Sequence, residues 1–249
     1  MSGHSKWHSI KHAKGAADAA RGRLFARLAR QIEVAAREGG GDIEANPTLR
    51  SMVQKARDGS MPKDNIERAI KRGTGELEGV RYEAVTYEGY APHGVAVYVE
   101  TLTDNRNRTG AEIKNIFSKS GGSMAEPGAV GWQFERKGLI YLDGAVDEDE
   151  IMMVALEAGA EDIEKQDGQW EVLVPATEFT AVRDALVAAG LTPKNTELTM
   201  ISSTEVAVDD ATAAKSVLRV IDMLEEHDDV NNVYSNVSVS DEIIAEVSA

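Results

Sequence analysis

The spacing of apolar residues changes period near residue 79, and this change limits the architecture that the chain can adopt. Before it, apolar residues recur at helical spacing in three segments separated by glycine and proline signals. After it, they alternate as in strands, and strand-like and helix-like segments follow one another to the end of the sequence. We therefore predict a multidomain α+β protein with an N-terminal three-helix module followed by two α/β domains.

The three N-terminal helices are delimited by capping and stop residues. The first is predicted over residues 21–38, before a run of three glycines. The second begins at Asn46-Pro47, a capping residue before a proline, and the third begins at Pro62. Residues 73–79 contain three glycines and are predicted to form the linker to the rest of the chain.

The first sheet begins directly after the linker. Strands are predicted over residues 82–90, 95–102 and 130–135. Between the second and third of these, the capping-box pattern of Thr109 and Glu112 predicts a helix that starts at Thr109 and runs to about residue 120.

From residue 137 the order of elements becomes β-α-β-β-α-β, which is the ferredoxin-like order. A last helix and strand, over residues 211–227 and 230–239, have no sheet of their own, and we assign them to the first sheet. The ferredoxin-like unit is then an insertion. The predicted domains are a basic helical domain over 1–78, an α/β domain over 79–136 and 203–249, and an inserted ferredoxin-like α/β domain over 137–202.

Charge is divided sharply between the two parts of the sequence. Residues 1–75 hold 15 basic and 8 acidic side chains, whereas residues 76–249 hold 12 basic and 34 acidic ones. A basic module on an acidic body predicts one end that attracts polyanions and another that repels them. The chain has no cysteine, which excludes disulfides and thiolate chemistry, and it has neither a signal peptide nor a membrane-spanning run. We expect a cytoplasmic protein with no membrane partner.

The basic arm and first helix are the strongest candidates for nucleic-acid contact. Phosphate backbones favour clustered cations because each neutralised phosphate releases condensed counterions. An aromatic side chain among them can stack on an unpaired base. The alternative is a solvated helix face with a tryptophan packed against the bundle. The candidate residues are Lys6, Trp7, Lys11, His12, Lys14, Arg21, Arg23, Arg27 and Arg30.

Two further segments are candidates. The second and third helices have helix-turn-helix spacing around residues 59–61, which would place Lys63, Asn65 and Arg68 on or near a recognition helix. The alternative is an ordinary corner of a helical bundle. Arg106 and Arg108 lie in a predicted loop before a helix N-terminus, where they could hold a phosphate or a carboxylate. In the alternative, this segment is a turn whose arginines pair with local acids.

Enzyme and metal signatures are weak or missing. His4, His8 and His12 recur every four residues, but lysines lie between them and no carboxylate does, so we expect no metal site. The sequence contains no nucleophile elbow, no Walker lysine and no dinucleotide loop. We expect a protein without catalysis and without a cofactor.

Several long blocks of the sequence resemble the YebC family. They are Gly3-His4-Ser5-Lys6-Trp7, Ile10-Lys11-His12 with Arg21, the segment from Met61 to Ile70, Tyr87-Glu88-Gly89-Tyr90, and the segment from Leu102 to Thr109. The resemblance covers the whole chain and is strongest before residue 140. Two positions depart from the family pattern: Ala91 stands where glycine is expected and Thr101 where cysteine is frequent.

This resemblance implies three domains and a non-enzymatic regulator of gene expression. The family label implies a DNA-binding transcriptional regulator. Relatives such as the mitochondrial translational activator of cytochrome oxidase imply instead a ribosome-associated factor that contacts rRNA, with the acidic domains facing the ribosome or another protein. A third alternative is a protein-interaction scaffold whose basic module binds an acidic partner.

Overall fold

The structure is a computed structural model that describes residues 17–166 and 168–248. In chain order its helices and strands are α1 (Ala17–Gly39), α2 (Pro47–Asp58), α3 (Lys63–Gly73), β1 (Glu83–Tyr90), β2 (Ala96–Thr103), α4 (Arg106–Lys119), β3 (Ser123–Ala125), β4 (Phe134–Asp143), α5 (Glu148–Glu157), β5 (Asp162–Gln166), β6 (Gln169–Pro175), α6 (Phe179–Ala188), β7 (Asn195–Ser202), β8 (Val206–Ala207), α7 (Ala211–Glu225), β9 (Val230–Ser235), β10 (Val237–Ser238) and α8 (Asp241–Ser248).

Local capping residues position the helices of the N-terminal module. The Asn46 side chain accepts a hydrogen bond of 3.0 Å from the Leu49 amide and so caps α2, with proline in the first turn. At the other end of α2, Ser60 has a positive φ of 61°. The amides of Ser60 and Met61 donate to the carbonyls of Arg57 and Ala56, a pattern that satisfies helix-end carbonyls and turns the chain into α3.

The three helices enclose a core of their own. Its buried side chains are Leu28, Ile32, Ala35, Ala36, Leu49, Val53, Ala56, Met61, Ile66 and Ala69. Gly73 allows α3 to approach α1 closely, because a Cβ atom at this position would lie 2.4 Å from the Glu33 carbonyl oxygen. The apolar stripes predicted for the three helices therefore form one cluster.

The first sheet is antiparallel, with strand order β3-β1-β2-β9. Helices α4 and α7 pack on it through a core that is separate from that of the helical module. Its buried side chains include Val97, Val99, Ile113, Phe117, Val217, Leu218 and Ile221. Strand β9 comes from the C-terminal segment, as predicted, and pairs with β2.

The inserted unit spans Trp132–Ser203 and forms one of the two compact units of the chain. Its strands pair antiparallel in the order β5-β6-β4-β7, the arrangement of a ferredoxin-like fold. Helices α5 and α6 pack on the sheet over Ile140, Leu142, Ile151, Val172 and Leu186. The predicted fold class is thus confirmed, and the three-domain division at the predicted boundaries stays a prediction.

The predicted start of α4 is wrong. The helix begins at Arg106, three residues before the capping-box pattern, and the Asn105 side chain caps it by accepting from the Arg108 amide at 3.1 Å. Thr109 is instead buried, and its hydroxyl binds other side chains. A tertiary hydrogen-bond network has replaced the local capping pattern.

The strand predicted over residues 130–135 is also wrong, because β4 runs continuously from Phe134 to Asp143. The preceding residues form a loop around the buried Glu88, whose carboxylate accepts hydrogen bonds of 2.7 Å from the amides of Gly128, Val130 and Gly131. Burial alone would raise the pKa of Glu88, but these three donors outweigh it and lower that pKa.

Within the described residues, no helix has the length and apolar character needed to span a membrane.

Candidate nucleic-acid interface and the arginine junction

Five of the predicted site residues lie outside the described residues, so their roles stay predictions. They are Lys6, Trp7, Lys11, His12 and Lys14, and the neighbouring His4 and His8 share this position. Arg21 lies at an exposed position of α1 and Arg23 at a half-buried one.

The two central arginines of α1 contact the acidic turn at the end of α7. The Arg27 guanidinium donates a hydrogen bond of 2.9 Å to the carbonyl of Glu225. Arg30 donates to the carbonyl of Asp228 and lies 3.3 Å from Oδ1 of Asp229. Arg27 therefore binds a C-terminal carbonyl of a helix, where the helix dipole favours a cation. Burial lowers the pKa of Arg27, although it stays fully charged near neutral pH.

Asp229 is the centre of this cluster, which we call the arginine junction: Arg27, Arg30, Arg108, Thr109 and residues 225–229. Its Oδ2 accepts hydrogen bonds of 2.6 Å from Arg108 and 2.7 Å from the Thr109 hydroxyl. The carboxylate is 8% exposed. Burial alone would raise its pKa, but the donors Thr109 and Arg108 and the charges of Arg108 and Arg30 lower it overall.

A chain of hydroxyl groups connects Asp229 to the start of α4. The Thr109 hydroxyl has one proton, which it donates to Asp229. The Thr109 oxygen therefore accepts a hydrogen bond from the hydroxyl of Thr103, 2.7 Å away. The Thr103 oxygen in turn accepts from the amide of Asn105, the cap of α4. The junction thus fixes the first turn of the helix that carries Arg106 and Arg108.

His227 joins the same cluster from the turn after α7. Its Nδ1 accepts from the Asp229 amide at 3.1 Å, so the neutral ring carries its proton on Nε2 and donates to Glu112 at 2.9 Å. Arg108 also pairs with Asp104 at 3.0 Å. Arg108 thus pairs with the local carboxylate of Asp104 as well as with the distant Asp229, and it lies in the first turn of α4 and not in a loop or turn. Arg106 is exposed, and its carbonyl accepts from the Tyr87 hydroxyl.

A cleft of about 670 Å³ lies over the junction, and its lining is mixed in charge. Three arginines and five carboxylates line it: Arg23, Arg30, Arg108, Asp104, Glu112, Glu226, Asp228 and Asp229. Carboxylates outnumber the arginines, so the cleft does not suit a phosphate.

The outer side of α3 has a different character. Arg68 and Lys71 are exposed and lie opposite the buried Ile66 and Ala69 on the helix. Within the described part of the chain, neither Arg68 nor Lys71 forms an ion pair. This surface keeps its cations available, unlike the arginine junction.

The other two predicted residues of α3 are less available. Lys63 is exposed but pairs with Glu67 at 3.4 Å, one helical turn further along. Asn65 is half-buried.

Comparison with known proteins covers both parts of the chain. Residues 5–76 match the family described as the TACO1/YebC protein N-terminal domain, and residues 82–237 match the TACO1/YebC second and third domain. The chain belongs to the TACO1/YebC family. The resemblance predicted from the sequence blocks is thereby confirmed.

Several full-length relatives of this TACO1/YebC chain carry the name "Probable transcriptional regulatory protein". One from Rubrobacter xylanophilus is 55% identical and covers 100% of both chains. One from Halothermothrix orenii is 52% identical and covers 100% of this chain and 99% of its own. A crystal structure of a conserved hypothetical protein from Aquifex aeolicus has a TM-score of 0.78 at 42% identity, covering 91% of this chain and 93% of that one.

Sequence reasoning missed the acidic half of the arginine junction in this TACO1/YebC protein. The available signal was the group of four acidic residues within residues 225–229, at the end of a predicted helix, on a chain with an arginine-rich helix near its other end. It also missed Glu33, which is 2% exposed in the middle of α1. Glu33 binds Arg37 at 3.1 Å and Arg72 at 3.0 Å, and so ties α1 to α3.

Within residues 17–166 and 168–248 of the TACO1/YebC chain, no group of three or more histidine, aspartate or glutamate side chains is arranged to hold a metal ion. The histidine series at His4, His8 and His12 falls outside these ranges.

Proposed function

We propose that this protein is a non-enzymatic, cytoplasmic regulator of gene expression that binds nucleic acid through its helical module. The observation that carries the proposal is the exposed basic surface of α3, with Arg68 and Lys71, on a chain whose remaining domains are strongly acidic. The relatives named as transcriptional regulators support the same class of function.

The predicted site residues then divide into two roles. Arg68, Lys71 and the arm lysines contact phosphates. Arg27, Arg30 and Arg108 position the helical module and α4, because intramolecular carbonyls and carboxylates already occupy their guanidinium groups. Arg21 and Arg106 are exposed and extend the phosphate-binding set.

For duplex DNA, the short turn between α2 and α3 favours insertion of α3 into the major groove, with Lys63 and Asn65 near its N-terminus. For rRNA, side chains cannot read the deep and narrow major groove, so Arg68 and Lys71 would contact the backbone. The acid excess of residues 76–249 favours this second candidate, since it suits the basic proteins of a ribosome and is repelled by bare duplex DNA.

A salt titration of binding tests the role of α3. Fluorescence anisotropy would be measured with labelled duplex DNA and with a structured rRNA fragment over a range of salt concentrations. Loss of two phosphate contacts in the double variant Arg68→Ala/Lys71→Ala should reduce the log–log salt slope by about 2 on duplex DNA. The matched control is Lys114→Ala/Lys215→Ala, which removes two exposed cations of α4 and α7. Equal effects of the two double variants, or an unchanged slope in the first, would refute the assignment.

Ultraviolet crosslinking in growing cells decides between the two nucleic acids. Recovery of rRNA fragments supports the translation factor, and discrete promoter DNA supports the transcriptional regulator. In either case Arg68→Ala/Lys71→Ala should lower recovery relative to the Lys114→Ala/Lys215→Ala control.

A further inference from the structure

The helical layer of the inserted unit exposes large apolar side chains. On α5, Met152 is 40% exposed, Met153 71% and Leu156 43%. On α6, which packs beside α5 on the sheet, Val187 is 52% exposed. Apolar side chains grouped in this way mark a contact surface more often than isolated ones do.

The fully buried contacts of α5 with its sheet come from other side chains of the helix. Ile151 and Ala155 are fully buried in the core of the unit, and Val154 and Ala158 pack against it. At 100° per residue, Met152, Met153 and Leu156 lie within one arc of about 100°, next to the arc of Ile151 and Ala155, and form one stripe along the helix. Met153 lies farthest from the buried side. We call this the methionine stripe.

Acidic side chains flank the methionine stripe. The first turn of α5 carries Glu148, Asp149 and Glu150, all exposed, after the capping residue Asp147. Their position at a helix N-terminus is favourable for the helix itself. The surrounding unit, residues 132–203, holds 15 acidic and 5 basic side chains. Any partner of this surface must therefore combine apolar contact with positive charge.

We infer that the methionine stripe is a docking surface for a basic amphipathic helix of a partner protein. The apolar side of such a helix would cover Met152, Met153 and Leu156, and its cations would meet the acidic first turn of α5. Methionine is suited to this role because its flexible thioether adapts to different apolar partners. The inference concerns the inserted unit alone and does not depend on nucleic-acid binding by the helical module.

Met153→Glu separates apolar docking from plain charge attraction. The substitution adds a negative charge, so it would strengthen any purely electrostatic attraction of a basic peptide. If the stripe is the docking surface, it should instead weaken binding at least tenfold, because a carboxylate would enter the apolar contact. The matched control is Leu198→Glu, which adds the same charge at an apolar side chain that is 45% exposed on β7 of the same unit.

The probe is a synthetic amphipathic helix of leucine and lysine, compared with a scrambled peptide of the same composition in calorimetric titrations of the full chain. Support requires tighter binding of the amphipathic peptide, weakening by Met153→Glu and no weakening by Leu198→Glu. Equal binding of the two peptides, or equal effects of the two variants, overturns the inference. Sedimentation gives a further check: self-association of the wild type that Met153→Glu abolishes would assign the stripe to a second copy of the chain and also overturn it.

Discussion

Replacing Asp229 by Asn tests whether the arginine junction stabilises the unit that contains the helical module and the first sheet. Asn keeps the size of the side chain and removes its charge. In the wild type, one carboxylate oxygen accepts from Arg108 at 2.6 Å and from Thr109 at 2.7 Å. In the variant, this position holds either the oxygen of a neutral amide or the amide NH₂ group, depending on how the side chain is oriented. Either outcome weakens both contacts.

The expected loss follows from the type and exposure of these contacts. A hydrogen bond to a charged group contributes about 1.5–3 kcal/mol net, and a neutral one about 1 kcal/mol. The Arg108 side chain is 44% exposed, so its contribution belongs at the low end of that range. Asn retains part of the Thr109 contact. We therefore expect Asp229→Asn to lower the free energy of unfolding by about 2 kcal/mol near neutral pH.

The pH dependence has a definite sign. The pKa of Asp229 is lower in the folded protein than its ordinary value of about 3.9 in an unfolded chain. The contribution of the Asp229 carboxylate to the free energy of unfolding is then complete above its pKa in the unfolded chain, and it is lost as the pH falls through its pKa in the folded protein. The difference in unfolding free energy between wild type and Asp229→Asn should be constant from pH 7 to about pH 5 and shrink below about pH 4.

Hydrogen exchange measured segment by segment is the suitable assay. A loss of 2 kcal/mol corresponds to about 30-fold faster exchange of the most protected amides of α7 and β9. The amides of β4 and β6 in the inserted unit serve as the internal control and should not change. Less than threefold acceleration at pH 7, or an acceleration ratio that stays constant down to pH 3, would refute this account of the junction.

Three further predictions concern backbone geometry and a second buried carboxylate. Ser60→Gly should raise the free energy of unfolding by about 0.5–1 kcal/mol in urea titrations, because the residue at this helix end has a positive φ of 61°. Gly22→Ala should raise the free energy of unfolding by up to about 1 kcal/mol, since nothing lies within 4 Å of the added Cβ. Gly73→Ala should lower it by about 1–3 kcal/mol, because the added Cβ would meet the backbone of α1. A result of the same sign for both glycines would contradict the described packing. Glu88→Gln should accelerate amide exchange in residues 126–131 at pH 7. The effect should be smaller under acidic conditions, where the wild-type carboxylate is protonated. Unchanged exchange rates at pH 7 would show that the carboxylate does not hold this loop in place.

The sequence predicted best those features that are determined locally. Asn46 caps α2 as predicted, because a capping side chain and a following proline act within one helical turn. The β-α-β-β-α-β order of the inserted unit follows from alternation and turn signals and is also correct. The start of α4 was missed because Thr109 contacts Asp229, 120 residues away, in place of its local capping partner.

The arginines of α1 show the same limit more clearly. Arg27 and Arg30 have the composition and spacing of a phosphate-binding face, yet their partners lie 198 residues further along the chain. Helical periodicity shows that these two arginines share a side of α1. It does not show which anion that side meets, because only the tertiary fold brings the acidic turn after α7 to it.

This arrangement has an electrostatic consequence for the proposed function. A protein with a net charge of −15 contains many carboxylates that compete with phosphates for its arginines. Arg30 and Arg108 already have such partners, and Arg27 binds the backbone carbonyl of Glu225, so a nucleic acid would have to displace these groups to gain the same contacts. Exposed cations that form no ion pair within the described residues, such as Arg68 and Lys71, would bind a phosphate at a smaller desolvation cost. Under the proposed function, the location of cations that lack such partners, and not the total number of arginines, therefore determines which surface of this chain a nucleic acid would contact.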